Sequence, residues 1–325
     1  MNSPPGKCSG FFRSSIPPCG ILRIRRAAVL ASLALACSSL SGAVVLEVTS
    51  PYHHIRVRDE GGFRTLCFDD STETRMSLQN PLEGHFEYTE YFQMPWLWNA
   101  QLTNVLMIGL GGASTQRAFE HYYPGVVVQT VEIDPMVGQI AREYFRFQES
   151  ARQKLQIQDG RVFLRRNTAK YDLIILDAYV QGRYGAGIPQ HLATKEFFEL
   201  VRDHLTTNGI VAYNVIGTVS DWHADIVGAM YRTLNTVFPQ VYLFPAKGSR
   251  NVVLLATRSA VKVDLNTLRQ RAAFLVQARR ITMPGFRERL ESFHSQPPPS
   301  AFRSPILTDD YAPVEGLAGG GGKAE

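Results

Sequence analysis

The sharpest pattern of apolar and polar positions lies between Asn104 and Asp134, NVLMIGLGGASTQRAFEHYYPGVVVQTVEID. An unbroken apolar run, Val105 to Ile108, meets glycines at 109, 111 and 112, passes through an amphipathic stretch, and re-emerges as a second apolar run ending in Glu132 and Asp134. This order predicts a strand, a tight turn, a helix and a parallel strand. The alternation continues downstream. Pro135 opens a helix through Tyr144, at a position where its missing N–H costs nothing. Lys154 to Gln158 reads as a short strand before Asp159 and Gly160, Arg161 to Arg166 as a helix, and YDLIIL as a buried strand ending at Asp177. After a glycine-rich loop, Thr194 caps a helix through His204, IVAYNVI forms a strand, Asp221 to Val237 a helix, and QVYLFPA with NVVLLAT a closing antiparallel pair. Upstream, VVLEVTS, YHHIRVRDE and FRTLCFDD are strand-like runs. Gly61 and Gly62 supply a hairpin turn, and MSLQ adds a further strand. The segment HFEYTEYFQMPWLWNA is helical and aromatic, broken at Pro95. Beyond Val261 a helix runs to Arg280, followed by LTDDYAPVE and a glycine-rich tail.

Repeated βα units that end in a hairpin specify an α/β fold of the class I methyltransferase-like Rossmann type. Its sheet is mostly parallel with one reversed strand, its helices cover both faces, and a small N-terminal antiparallel β domain precedes it. The expected division is a leader at 1–43, the β domain at 44–84, a Rossmann-like domain at 85–258, and a C-terminal helix with a flexible tail at 259–325.

Charge changes this picture only at the N-terminus. The chain of 325 residues carries a net charge of +5. Lys7, Arg13, Arg23, Arg25 and Arg26, with no acid before Glu47, account for all of it, so the remainder is neutral. A neutral body does not present the basic surface that nucleic acid requires, and no nucleic-acid partner is expected. Arg23, Arg25 and Arg26 precede an uncharged run, AAVLASLALACSSLSGAVVL, with small residues at Ser41 and Ala43. That arrangement reads as a signal peptide or an N-terminal membrane anchor, which places the protein in the cell envelope; a leader that stays in the cytoplasm is the alternative. Cys8, Cys19 and Cys37 lie in the leader and only Cys67 in the body, so no disulfide framework is expected.

The glycines and the acids carry the chemistry. A Cβ in the turn would keep a nucleoside off the backbone, which makes Gly109, Gly111 and Gly112 candidate binding residues. Glu132 falls twenty positions after Gly112, where a ribose-binding carboxylate belongs. The third glycine of a dinucleotide turn is missing, which favours a nucleoside without a pyrophosphate, such as S-adenosylmethionine and its relatives. Ligands of open α/β sheets sit beyond the carboxyl ends of the strands, and Gly111, Glu132, Asp159 and Asp177 each stand at such an end. A single Asp after a strand is usually a helix cap. Four consecutive strand tips facing one cleft point to a site. No His or Cys cluster has metal spacing, and no metal is expected.

From Tyr52 to Thr257 the chain resembles the spermidine synthase family, the polyamine aminopropyltransferases. The resemblance is carried by YHHIRV, FEYTEY, VLMIGLGG followed by VEID, QIQDGRVFL, and YDLIILDAY followed by ATKEFFE. It implies that Glu132 holds the ribose hydroxyls, Asp159 with Gly160 the adenine, and Tyr88 the amine, while Asp177 is the catalytic base. Decarboxylated S-adenosylmethionine would be the co-substrate and a small amine such as putrescine the acceptor, with the aromatic faces of Tyr88 and Tyr179 near the cationic groups. Family members are often dimers or tetramers, so a homo-oligomer is implied as well.

The chain also departs from that family. Gly112 stands where an Asp is usual in the glycine turn, Val180 where a second Asp is usual, and His53 where a Gln is usual. Glu87, Glu90, Asp309 and Asp310 are candidates to restore the lost charge. Two further readings therefore stand beside aminopropyl transfer. One is a methyltransferase using intact S-adenosylmethionine, whose carboxylate would occupy the room left at Gly112. The other is a non-catalytic adenosyl-nucleoside-binding protein of the envelope.

Overall fold

The structure is a computed structural model and describes residues 42–182 and 185–318. The leader with Cys8, Cys19 and Cys37, most of the glycine-rich tail, and Arg183 and Tyr184 lie outside the described residues. Two sheets organise the rest. The first is antiparallel, in the order β1 (Ala43–Thr49), β2 (His54–Glu60), β3 (Phe63–Phe68) and β4 (Ser71–Ser77). Gly61 and Gly62, both at positive φ, turn β2 into β3, as the paired glycines predict. Ile55, Val57, Leu66 and Met76 point to one face and are fully buried there against Val137, Ile140, Ala141 and Phe145. The last strand differs from expectation. β4 begins at Ser71 and not in the MSLQ run, because an edge strand with one wet face satisfies the strand pattern with polar residues and one buried apolar side chain, Met76, beside buried Thr74 and Ser77.

The second sheet has seven strands: β5 (Asn104–Ile108), β6 (Val127–Glu132), β7 (Gln153–Ile157), β8 (Tyr171–Leu176), β11 (Leu205–Ile216), β12 (Gln240–Pro245) and β13 (Asn251–Thr257). Their order in space is β12-β13-β11-β8-β5-β6-β7, and β13 alone runs against its neighbours. The strand order reverses at β5, which has β6 on one side and β8 on the other, so the crevice for a ligand opens beyond its carboxyl end. The expected loop after Asp177 is instead partly paired, as β9 (Val180–Gly182) against β10 (Gly185–Gly187).

Helices α2 (Ser114–Tyr122), α3 (Pro135–Tyr144), α4 (Gly160–Arg166), α5 (Lys195–Asp203) and α6 (Ile226–Asn235) connect the strands. Their starts are set by capping carboxylates and hydroxyls: Asp134 accepts from the Met136 N–H, Asp159 from Val162, Thr194 from Phe197 and Asp225 from Gly228. The Asp225 cap moves the start of α6 to Ile226, five residues after the expected Asp221. One face of the sheet is covered by Leu164, Phe197, Phe198, Val201 and Met230. The other is covered by Tyr91, Phe92, Trp96 and Phe119, together with Leu268, Ala272 and Leu275 of α7 (Leu265–Gln277) and Phe286 and Leu290 of α8 (Phe286–Leu290). The region after 258 is therefore more than an appended helix: its apolar side chains complete this core. Among the described residues no helix is long and apolar enough to cross a membrane.

Candidate active site

A cleft opens beyond the carboxyl ends of β5, β6, β7 and β8. Its first half is built from the glycine turn. At Gly109 φ is +103°, and a Cβ there would collide with the Asp177 carbonyl of the neighbouring strand, so only glycine fits. Gly111 is also at positive φ, at +51°. Glu132, at the tip of β6, is buried, and its carboxylate accepts from the Leu110 N–H at 2.9 Å and the Asp134 N–H at 3.0 Å. Burial raises its pKa, and those two N–H groups oppose the rise. Two of the roughly four acceptor sites of a carboxylate are thus used for orientation, leaving the others free to accept from a ligand. At the tip of β7, Asp159 is held at 2.8 Å from the His191 ring, and chiefly that contact keeps its pKa below the ordinary carboxylate range. Gly160 is required by packing, since a Cβ there would stand 2.5 Å from Cγ2 of Ile108.

The second half is aromatic and acidic. The Tyr88 hydroxyl donates to Oδ2 of Asp177 at 3.3 Å, and the Asn214 amide donates to Oδ1 at 3.0 Å. Asn251 in turn donates to the Asn214 side-chain oxygen at 3.1 Å, so a relay across β13 and β11 orients the acid at the tip of β8. Burial pushes the Asp177 carboxyl up to about 6, against the pull of Asn214 and Tyr88. The Tyr179 hydroxyl donates to the Asn214 carbonyl at 2.7 Å, which leaves its ring and not its hydroxyl for the cleft. Glu73, on β4, lines the same wall. Burial raises its carboxyl to about 7, Ser71 opposes the rise, and the charges of Asp177 and Asp69 add to it.

The structure gathers Gly109, Gly111, Glu132, Asp159, Gly160, Tyr88, Asp177 and Tyr179 around this one cleft. Gly112 is the exception. Its N–H donates to the Thr74 hydroxyl at 2.9 Å, and a Cβ on it would meet Cγ2 of Thr74 at 2.5 Å and Phe145 at 2.9 Å. There is no spare room beside Gly112 for a methionine carboxylate, because β4 already fills it. The four acids expected to restore charge are engaged elsewhere or exposed. Glu87 accepts from the Tyr91 hydroxyl and from the N–H groups of Lys247 and Gly248, and Glu90 pairs with His85 and Arg289. Asp309 pairs with Arg161 and Thr194, and Asp310 is exposed. Glu73, Asn214 and His191 were not anticipated; Glu73 lies in a polar stretch that does not read as a strand.

A glycine turn with a buried acid and a desolvated carboxylate facing the same space suit a group transferase. Comparison with known proteins agrees. Residues 85–247 match the family described as "Spermine/spermidine synthase domain". The polyamine aminopropyltransferase of Vibrio vulnificus is 31% identical over 299 residues, covering 86% of this chain and 95% of that one. The chain belongs to the spermine/spermidine synthase family. An eEF1A lysine and N-terminal methyltransferase of Xenopus laevis is also 31% identical, but over 43% of this chain and 20% of its own length. Among solved structures, a probable spermidine synthase from Corynebacterium glutamicum shares the fold with a TM-score of 0.58 at 20% identity, covering 70% of this chain and 87% of that one. Human methyltransferase-like protein 13, solved with SAH, shares it with a TM-score of 0.52 at 24% identity, covering 60% and 91%.

Proposed function

We propose that the protein is an aminopropyltransferase that moves the aminopropyl group of decarboxylated S-adenosylmethionine onto a small amine such as putrescine. The observation that supports this reading most is the Asp177 carboxylate, oriented by Tyr88 and Asn214 in a cleft that Glu132 also lines. An amine in water is mostly protonated and cannot attack. Asp177 attracts the ammonium and accepts a proton from it; the freed nitrogen lone pair forms a bond to the carbon next to sulfur, and the C–S bond breaks. Its electron pair returns to sulfur, which leaves as a neutral thioether nucleoside. A base titrating near 6 is charged at neutral pH yet basic enough to take the proton. Holding both reactants along one line contributes the larger part of the rate. Tyr88 and Tyr179 line the cleft, where their rings would stabilise the sulfonium and ammonium charges.

The test is turnover of putrescine with each sulfonium nucleoside. Product from the decarboxylated donor supports the reading. Methylated product from the intact donor, with none from the decarboxylated one, overturns it, and so does nucleoside binding without turnover of any amine. The basic leader and its apolar run support attachment to or export into the envelope. N-terminal sequencing of the protein from each cell fraction tests that reading.

A further inference from the structure

The pairing of β3 with β4 slips by one residue beside the cleft. Leu66 stands opposite Thr74 and Cys67 opposite Thr72, so Glu73 is the extra residue of a β-bulge. A bulge re-aims side chains, and here Glu73 and its neighbour Thr74 both reach the cleft, which strict alternation forbids. Thr74 lies on the glycine turn: its hydroxyl takes the Gly112 N–H, and its methyl fills the place of a Gly112 Cβ. Bulge and turn form one packed unit in which position 112 cannot carry a side chain. The residue before Thr74 instead brings a carboxylate to the same wall, within the electrostatic reach of Asp177, Tyr88 and Tyr179.

On the aminopropyl reading the ribose sits at Glu132; the 5′ end of the nucleoside would then point to the glycine turn, and the chain beyond sulfur would run along that turn toward β4, whose Thr74 packs on it. We infer that Glu73 selects the donor: its carboxylate takes the terminal ammonium of the aminopropyl group and repels the carboxylate that intact S-adenosylmethionine carries beside that ammonium. This rests on the aminopropyl reading and names the residue that enforces it. A carboxylate held against another carboxylate with little water between them disfavours binding, whereas an ammonium in its place is favoured.

Calorimetry of the full chain with decarboxylated and intact S-adenosylmethionine tests the inference in the wild type and in Glu73→Gln. The wild type is expected to bind the decarboxylated nucleoside at least about tenfold more tightly. Glu73→Gln is expected to bring the two within about threefold of each other, Glu73→Asp to restore part of the gap, and the KM for the amine to move by less than about threefold. An unchanged ratio in Glu73→Gln overturns the inference, as does an unchanged ratio accompanied by a raised KM for the amine, which assigns Glu73 to the acceptor. Equal affinities in a wild type that still turns over the decarboxylated donor overturn the role of Glu73 and leave aminopropyl transfer standing. Failure of the wild type to bind either nucleoside removes both. Should circular dichroism show Glu73→Gln misfolded, Glu73→Ala, which removes the polar group altogether, provides the same comparison.

Discussion

The two halves of the cleft are built on opposite principles. In the adenosyl half the acid is satisfied before any ligand arrives: Glu132 already holds two backbone N–H groups, on a turn whose glycines are demanded by the closeness of the neighbouring strand. Burial raises the pKa of the acids in both halves, but in the half that takes the ammonium groups of donor and acceptor Asp177 is held only by side chains from distant elements, Tyr88 and Asn214, and neither Asp177 nor Glu73 has a cationic partner among the described residues. A pre-satisfied acid binds a neutral, hydroxyl-rich ligand without rearrangement. A pair of acids held in unfavourable surroundings waits for cations. The binding half is thus stabilised by its local backbone, while the reactive half is sustained by the rest of the fold.

The largest effect should come from Asp177→Asn. Removing the proton acceptor while keeping its shape is expected to lower kcat by about 10²- to 10⁴-fold, with donor affinity within about threefold of wild type. Single-turnover kinetics beside donor titration checks both numbers. Collapse of donor affinity would erase the division between the halves. The converse change, Glu132→Gln, keeps an acceptor for only one of the two buried N–H groups, sets an NH2 donor against the other, and removes a charged partner of the ribose. Donor affinity is expected to fall by about 10- to 100-fold, with kcat at saturating donor within about threefold.

A third effect separates the halves through stability. Asp177 titrates near 6 in the fold and near 3.8 when free, so folding favours its neutral form. Its contribution to stability is complete below about pH 4 and is lost as the pH rises through about 6; Glu73, raised from 4.5 to about 7, behaves alike over a window reaching higher. The unliganded protein should therefore gain on the order of 1–3 kcal/mol at about pH 8 from Asp177→Asn, and little at about pH 4. Thermal denaturation at the two pH values reads this directly. Glu132→Gln should show no such gain, because one of its two N–H groups loses its acceptor along with the charge.

The same division explains what could be read from the sequence. The adenosyl half is local: a strand, a turn and the next strand place Gly109, Gly111 and Glu132 within one continuous stretch, so their spacing carries their geometry. The regular βα order likewise carries the seven-stranded sheet and its reversed β13. The amine half assembles residues from β4, α1 (Tyr88–Tyr91), the tip of β8 and β11. Asp177 was legible as an acid at a strand tip, but its role as base, and Tyr88 altogether, were reached through resemblance to a family. Asn214 was not, because an Asn inside an apolar strand gives no sign of which neighbouring tip it will meet. Glu73 was hidden twice over. It sits in STETR, which has the polarity of a turn, and it owes its direction to a bulge, a one-residue slip that no periodicity reveals. The misplaced acids, Glu87, Glu90 and Asp309, were credible by charge alone; only their pairing with Arg289 and Arg161 removes them.

The smallest effect belongs at the far end of the adenosyl half. His191 lies 2.8 Å from Asp159, but the pair is partly exposed, with side chains 48% and 23% accessible. Exposed pairs of this kind contribute about 0–1 kcal/mol. Asp159 keeps its place without the histidine, because its other oxygen caps α4 through the Val162 N–H at 2.8 Å. His191→Ala should therefore change stability by less than about 1 kcal/mol and donor affinity by less than about fivefold. Calorimetry with the thioether nucleoside product checks this without involving the amine half at all. A loss approaching a hundredfold would make His191 a contact of the nucleoside itself. The adenosyl half would then depend, as the amine half does, on a residue far along the chain, and pre-satisfaction by local backbone would no longer separate the two.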